Sequence, residues 1–276
     1  MAVQLSAPAL ASSRATSGFR RGPSALAYTI VLYVCIPAYD EAPTIGLLLW
    51  RIRKVLQDST REYEIIVFDD GSTDATQDLL RPYHDVLPLT VIGGRDRVGY
   101  ARALDALART ASQRTRYPRR DAMITMQADF TDRPEDLPEL IKRFEGGADL
   151  VVAERSAELL SGPARRLRQI APWVLRPFVK VPGVADPFGS LRLYRISVLR
   201  DLIKEMDDRP IAQGDGWGAN VDLLLRAAPL ARRVETVTVS APGDLRPRES
   251  RVRPWQDALA LFRFGRGVRA RGARAS

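Results

Sequence analysis

Apolar and polar positions alternate in two periods along the middle of the chain. Ile30–Ile36 is a continuous apolar run, as for a strand covered on both faces. Pro43 then stands at a helix start, and Ile45, Leu48, Leu49, Ile52, Val55 and Leu56 recur at helical spacing. Glu64–Phe68, Leu89–Ile92, Ala122–Met126 and Asp149–Ala153 read as four further strands. Between them, Asp74 with Gln77 predicts a capped short helix, and Gly99–Ser112 a longer one. Asp132 with Glu135 predicts a capping box before a helix over Leu137–Phe144. Residues 156–185 are rich in Arg, Pro and Gly and break the alternation. After them, Leu191–Leu202 reads as strand then helix, Val221–Ala228 as a short helix and Val234–Val239 as a strand. This order implies an α/β fold: a mostly parallel sheet with helices on both faces. Ligands in such sheets sit beyond the carboxyl ends of the strands.

Charge divides the chain into three. Residues 1–27 carry three arginines and no acid, and residues 246–276 carry nine arginines against Glu249 and Asp257. Of the net +9, that leaves −1 for residues 28–245. The expected organisation is a disordered basic arm over 1–27, one Rossmann-like domain over 28–245, and a basic C-terminal segment over 246–276. That last segment includes an amphipathic helix from Pro254 to about Gly265. Positive charge confined to the ends suits an anionic surface and disfavours a nucleic-acid-binding core.

Cysteine and histidine counts exclude several chemistries. Cys35 is the only cysteine, so no intrachain disulfide forms, and its apolar surroundings make it a core residue. His84 is the only histidine. A His-based triad or a zinc site built on several histidines is therefore ruled out, and His84 is expected in an exposed loop. The stretch Ala25–Ala38 is too short to span a bilayer and is broken by Pro37. No signal-peptide pattern precedes it. A cytoplasmic protein is expected.

Four polar segments fall at predicted strand ends or in the following loops. They are Cys35-Ile36-Pro37-Ala38-Tyr39-Asp40-Glu41, Val67-Phe68-Asp69-Asp70-Gly71-Ser72-Thr73-Asp74, Met126-Gln127-Ala128-Asp129-Phe130-Thr131-Asp132, and Asp186-Pro187-Phe188-Gly189-Ser190-Leu191-Arg192. Alone, Asp69-Asp70-Gly71-Ser72 reads as an ordinary strand-to-helix turn. In a strand-end crevice, however, Asp70 and Glu41 can accept hydrogen bonds from base or ribose, and Pro37 and Tyr39 can shape a wall.

Together these segments resemble the inverting glycosyltransferases of the GT-A fold, and among them the polyprenyl-phosphate (dolichol-phosphate) mannosyl- and glucosyltransferases. The resemblance covers about residues 29–255. It implies transfer of a hexose from a GDP- or UDP-sugar, with inversion, to a polyprenyl phosphate. It places Pro37, Tyr39, Glu41, Phe68, Asp70, Gln127, Ala128 and Asp129 around the nucleotide sugar. The family has Asn at the position of Asp40. It also has an Asp-x-Asp motif holding Mg²⁺ or Mn²⁺, whose first Asp is Gln127 here and whose second is Asp129. One or two carboxylates with phosphate oxygens can hold Mg²⁺, so Asp129 and the Gln127 amide are the expected metal ligands. Asp132 is expected to serve only as the helix cap.

Guanidinium forks match phosphate oxygens. The resemblance gives Arg155, Arg166, Arg248 and Arg251 to the acceptor phosphate, with Arg155 and Arg248 also in the catalytic set beside Asp129. Arg165, Arg166 and Arg168 read equally well as solvated surface, and Arg246 flanks the same C-terminal motif. Asp186 belongs to a sugar-pocket loop or to a simple Asp-Pro turn. Asp215, in Gln213-Gly214-Asp215-Gly216-Trp217-Gly218, is either a general base or part of a loop and helix cap. The C-terminal segment, with Trp255, Leu259, Leu261, Phe262 and Phe264 among its arginines, is expected on the inner membrane surface. Two other readings remain: a soluble glycosyltransferase with a small-molecule or polysaccharide acceptor, and a silent relative that binds nucleotide or membrane.

Overall fold

A computed structural model describes residues 30–57, 59, 61–155 and 181–239. The basic arm, the C-terminal segment and Arg165, Arg166, Arg168, Arg246, Arg248 and Arg251 lie outside the described residues. The described strands are β1 (Val31–Ala38), β2 (Glu62–Asp70), β3 (Leu89–Gly94), β4 (Ala122–Thr125), β5 (Leu150–Arg155), β6 (Arg192–Arg195) and β7 (Val234–Val239). The α-helices are α1 (Ile45–Leu56), α2 (Thr76–Leu80), α3 (Tyr100–Arg114), α4 (Leu137–Glu145), α5 (Ile196–Met206) and α6 (Trp217–Ala227).

These strands form one sheet in the order β3-β2-β1-β4-β6-β5-β7. β3, β2, β1 and β4 run parallel, β6 is antiparallel to both β4 and β5, and β7 is parallel to β5. The mostly parallel sheet read from the sequence is thus present, with one reversed strand.

Alternation along β1 shows why its apolar run is unbroken. Leu32, Val34 and Ile36 pack in one cluster with Leu48, Ile52, Leu137 and Leu140, from α1 and α4. Tyr33 and Cys35 face the other way, among Leu104, Leu107, Leu199 and Leu223 from α3, α5 and α6. Both faces of the sheet are covered, and each buried Leu or Ile contributes roughly 1.5–3 kcal/mol. Cys35 is wholly buried, which pushes its thiol pKa up and keeps it protonated. His84 is exposed, as expected, though in a 3-10 turn over Arg81–Asp85 rather than a loop. Among the described residues, no helix is long and apolar enough to cross a membrane.

The chain leaves β1 toward β2 and β3 on one side, then returns to place β4 on the other side of β1. The sheet order therefore reverses between β1 and β4, where open α/β sheets take their ligands.

Candidate functional site

Three of the four polar segments end side by side at this reversal. Ala38 ends β1, Asp70 ends β2, and β4 stops at Thr125, with Met126 N–H still donating to the Cys35 carbonyl at 3.1 Å.

The first two turns are tied to each other. Asp40 adopts a left-handed φ of 52°, a conformation that Asp and Asn tolerate better than most residues. Its Oδ1 accepts Thr73 N–H at 2.7 Å and Asp74 N–H at 3.3 Å, and its own N–H donates to Ser72 Oγ at 3.0 Å. Glu41 N–H donates to Thr76 Oγ1 at 2.9 Å, and Ala42 N–H to Asp74 Oδ2 at 3.1 Å. Asp40 thus does what an Asn could do there. The Thr73 N–H bond is the largest influence holding its carboxyl pKa below the usual range.

Asp74 and Gln77 form no capping box. Asp74 accepts Thr76 N–H at 2.9 Å and binds the first turn, while the Gln77 amide turns back to Asp69. The capping box fails because the Gln77 side chain binds Asp69 and does not reach back to Asp74.

Asp70 is buried and holds the loop before α3. Its Oδ1 accepts Val98 N–H at 2.6 Å and Gly99 N–H at 3.0 Å. Gly71 permits this, with φ 71° and a site for a Cβ only 2.8 Å from the Arg95 carbonyl oxygen. The folded-back loop brings in Arg97, which sequence reasoning missed. Its guanidinium lies 3.8 Å from the Tyr39 ring centre, and its Nε is 3.7 Å from Asp70 Oδ2. Nothing local to Arg97 marks it in the sequence, because the contact depends on how the loop closes. Pro37 and Phe68 are register partners, both buried, and Phe68 packs into the core against α3. Glu41 is buried, with one carboxylate oxygen 3.1 Å from the Thr44 hydroxyl.

The third segment is organised by Asp132, and here the structure corrects the sequence reading. Asp132 is not a helix cap. It is buried and accepts Gln127 N–H at 2.9 Å, Ser190 Oγ–H at 2.6 Å and Arg155 Nη2 at 2.6 Å. Glu135, its expected capping partner, pairs instead with Arg51 at 3.2 Å. Arg155 also donates to the Thr131 carbonyl, and its side chain is 6% exposed. Arg155 thus helps to fix this turn, with its Nη2 engaged by Asp132 and the Thr131 carbonyl. Asp129 Oδ1 accepts Thr131 N–H at 2.9 Å. Ala128 is buried in the core. Gln127 Nε2 is 3.3 Å from the Tyr100 hydroxyl, which donates to Asn220 Oδ1 at 3.0 Å. Burial drives the Tyr100 pKa well above its ordinary value.

On the other side, Asp186 Oδ1 accepts Phe188 N–H at 3.0 Å, an Asp-Pro turn. Phe188 meets Trp217 edge to face at 5.8 Å. Asp215 is exposed just ahead of α6, with its carbonyl accepting Gly218 N–H. Among the described residues no cluster of three or more His, Cys, Asp or Glu could enclose a metal. Asp129 and the Gln127 amide, the pair expected from the sequence to hold a hard cation, stand two residues apart in the turn after β4 and would leave most coordination positions to a ligand.

Comparison with known proteins bears on this geometry. The model of glycosyl transferase family 2 matches residues 33–203. A prophage bactoprenol glucosyl transferase homolog of Escherichia coli is 29% identical over 177 residues, 63% of this chain and 55% of that protein. The dodecaprenyl-phosphate galacturonate synthase of Rhizobium johnstonii is 26% identical over 193 residues, 66% of this chain and 53% of that protein. The chain spans about half the length of these relatives. Glucosyl-3-phosphoglycerate synthase from Mycobacterium tuberculosis, solved with Mn²⁺, UDP and glucosyl-3-phosphoglycerate, superposes with a TM-score of 0.57. It is 21% identical, covering 85% of this chain and 76% of that one. The likeness shows a shared GT-A fold.

Proposed function

Because the chain belongs to glycosyl transferase family 2, we propose that it moves a hexose from a nucleoside-diphosphate sugar, with inversion, to a polyprenyl phosphate. The observation that carries this reading is the convergence of Tyr39, Asp70 and Asp129 at the ends of three adjacent parallel strands, β1, β2 and β4. A base stacks on Tyr39, and a diphosphate reaches across to Asp129 at the point where the sheet order reverses. Pro37 and Glu41 complete the wall, over a floor that includes Phe68 and Ala128.

A divalent cation, Mg²⁺ or Mn²⁺, fits the Asp129 carboxylate and the Gln127 amide oxygen, and would neutralise charge on the departing diphosphate. An acceptor oxygen attacks the anomeric carbon from the face opposite the diphosphate, and the bond from that carbon to the diphosphate breaks. A phosphate acceptor is already ionised, so the exposed Asp215 need not act as a strong base. Arg166, Arg248 and Arg251 are the proposed holders of the acceptor phosphate, and the basic C-terminal segment the proposed contact with the inner membrane surface.

The two relatives described above are a bactoprenol and a dodecaprenyl-phosphate enzyme by name, which favours the lipid acceptor. The test pairs a thermal-shift panel of UDP, GDP and their hexoses, with and without Mn²⁺, with transfer assays on polyprenyl phosphate and on small phosphorylated acceptors. A shift with one nucleotide and transfer to the lipid are expected. Transfer only to a soluble acceptor would replace the lipid reading, and binding without any transfer would leave a silent nucleotide binder.

A further inference from the structure

The hydrogen bonds around Gln127 have a fixed direction. A phenol carries one proton, and Tyr100 gives it to Asn220 Oδ1 at 3.0 Å. Its oxygen is left to accept, and the Gln127 amide Nε2 lies 3.3 Å from it. The amide oxygen is then turned away from Tyr100. The backbone of Gln127 is pinned separately, through its N–H to Asp132.

Asn220 is itself held. It is buried in the first turn of α6, and its carbonyl accepts from Arg192 Nη1. Arg192 is buried without an acidic partner among the described residues; its Nη2 binds the Pro187 carbonyl, and Nη1 also lies 3.3 Å from the Tyr194 hydroxyl. A guanidinium has only donors, so this contact holds the Asn220 backbone, and with it the start of α6, in place. The line runs from β6 through α6 and α3 to the end of β4.

We propose that Tyr100 and Asn220 orient the Gln127 amide so that its oxygen faces the donor diphosphate, standing in for the carboxylate absent at that position. They are positioning residues. The proposal rests on the nucleotide-sugar reading above, and it assigns a function to two residues that touch neither donor nor acceptor.

The test measures Mn²⁺ binding to the UDP complex through the electron paramagnetic resonance signal of free Mn²⁺, with UDP affinity in the absence of metal measured alongside. Losing one such orienting bond should weaken Mn²⁺ by about three- to tenfold. Tyr100→Phe and Gln127→Ala should each do so, and the double variant should be no worse than either alone. Asn220→Asp keeps the acceptor and should bind Mn²⁺ as the wild type does, while Asn220→Leu should match Tyr100→Phe and serves in its place if that variant folds poorly. Metal-free UDP affinity should stay unchanged in the Tyr100 and Asn220 variants. Wild-type Mn²⁺ binding in either Tyr100→Phe or Gln127→Ala overturns the proposal. A wild-type protein that binds UDP but no Mn²⁺ overturns it and leaves the nucleotide reading standing. One that binds neither removes both.

Discussion

The Arg97 guanidinium carbon sits 3.8 Å from the Tyr39 ring centre, and the same side chain reaches Asp70 with its Nε at 3.7 Å. A nucleobase stacked on Tyr39 with an N–H toward Asp70 would use the same two contacts. On the proposed nucleotide reading, Arg97 would compete with the base for this face. Removing it should tighten UDP binding by up to about fivefold, since an exposed cation–π contact is worth ~0.5–1 kcal/mol. Tyr39→Ala should weaken binding by about tenfold, because a stacked base contributes ~1–3 kcal/mol. Calorimetric titration of Arg97→Ala and Tyr39→Ala with UDP checks both. Weaker binding in Arg97→Ala would show that the guanidinium holds the base instead of blocking it.

Asp70 has a structural role as well as a proposed binding role. Replacing it with Ala leaves the Val98 and Gly99 N–H groups without their acceptor. The expected loss is about 1–3 kcal/mol of stability, together with loss of donor binding. Asp70→Asn keeps an acceptor oxygen and should recover most of the stability. Urea unfolding of both variants separates the two roles, and an unchanged midpoint in Asp70→Ala would contradict the loop contact.

Arg155 is a sharper case. Its partner Asp132 is completely buried, so Arg155→Ala strands a carboxylate. Breaking one side of a buried pair costs roughly 3–5 kcal/mol. The prediction is a large drop in stability for Arg155→Ala. A phosphate-gripping arginine would instead show near-normal stability with a raised acceptor KM. Denaturant midpoints and acceptor saturation curves on one preparation decide between them.

Asp40 supplies a pH signature. Its pKa is lowered in the folded protein, mainly by the Thr73 N–H. Its contribution to stability is therefore complete above the ordinary carboxylate range, near pH ~4. It is lost as pH falls through the lowered folded value. Asp40→Asn keeps an oxygen acceptor for Thr73 and Asp74 and removes the titration. Its stability should fall less steeply between about pH 5 and 2.5, as read by urea midpoints at each pH. Parallel curves for the two proteins would show that this bond contributes nothing to acid sensitivity.

Periodicity made the strands and helices legible because burial on two faces leaves a direct record in the sequence. Ile30–Ile36 and the α1 stripe are examples. Short polar side chains were harder to read. Asp132 with Glu135 fits a local cap, yet Asp132 binds Arg155 and Ser190, which are 23 and 58 residues further along the chain. Spacing rules describe neighbours along a helix and cannot see a carboxylate drawn into the sheet end. Tyr39 and Asp70 stood out through their motifs. Arg97, Tyr100 and Asn220 did not, since their contacts exist only once β2, α3 and α6 have come together.

The reversed strand β6 also sets a timetable for synthesis. The pairings among β1, β2, β3 and β4 need nothing beyond Thr125. β5 has no partner until β6 arrives: Leu150 pairs with Tyr194 of β6, and afterwards with Val234 of β7. At about 5–20 residues per second, the roughly 40 residues between them take on the order of two to eight seconds to make. For an interval of that length, between its own emergence from the ribosome and that of β6, the apolar strand Leu150-Val151-Val152-Ala153 has no sheet to join. Slow decoding in the interval between those two emergences would lengthen its exposure, so expression yield should respond to synonymous codon choice in the part of the message translated then more than in the part before β5.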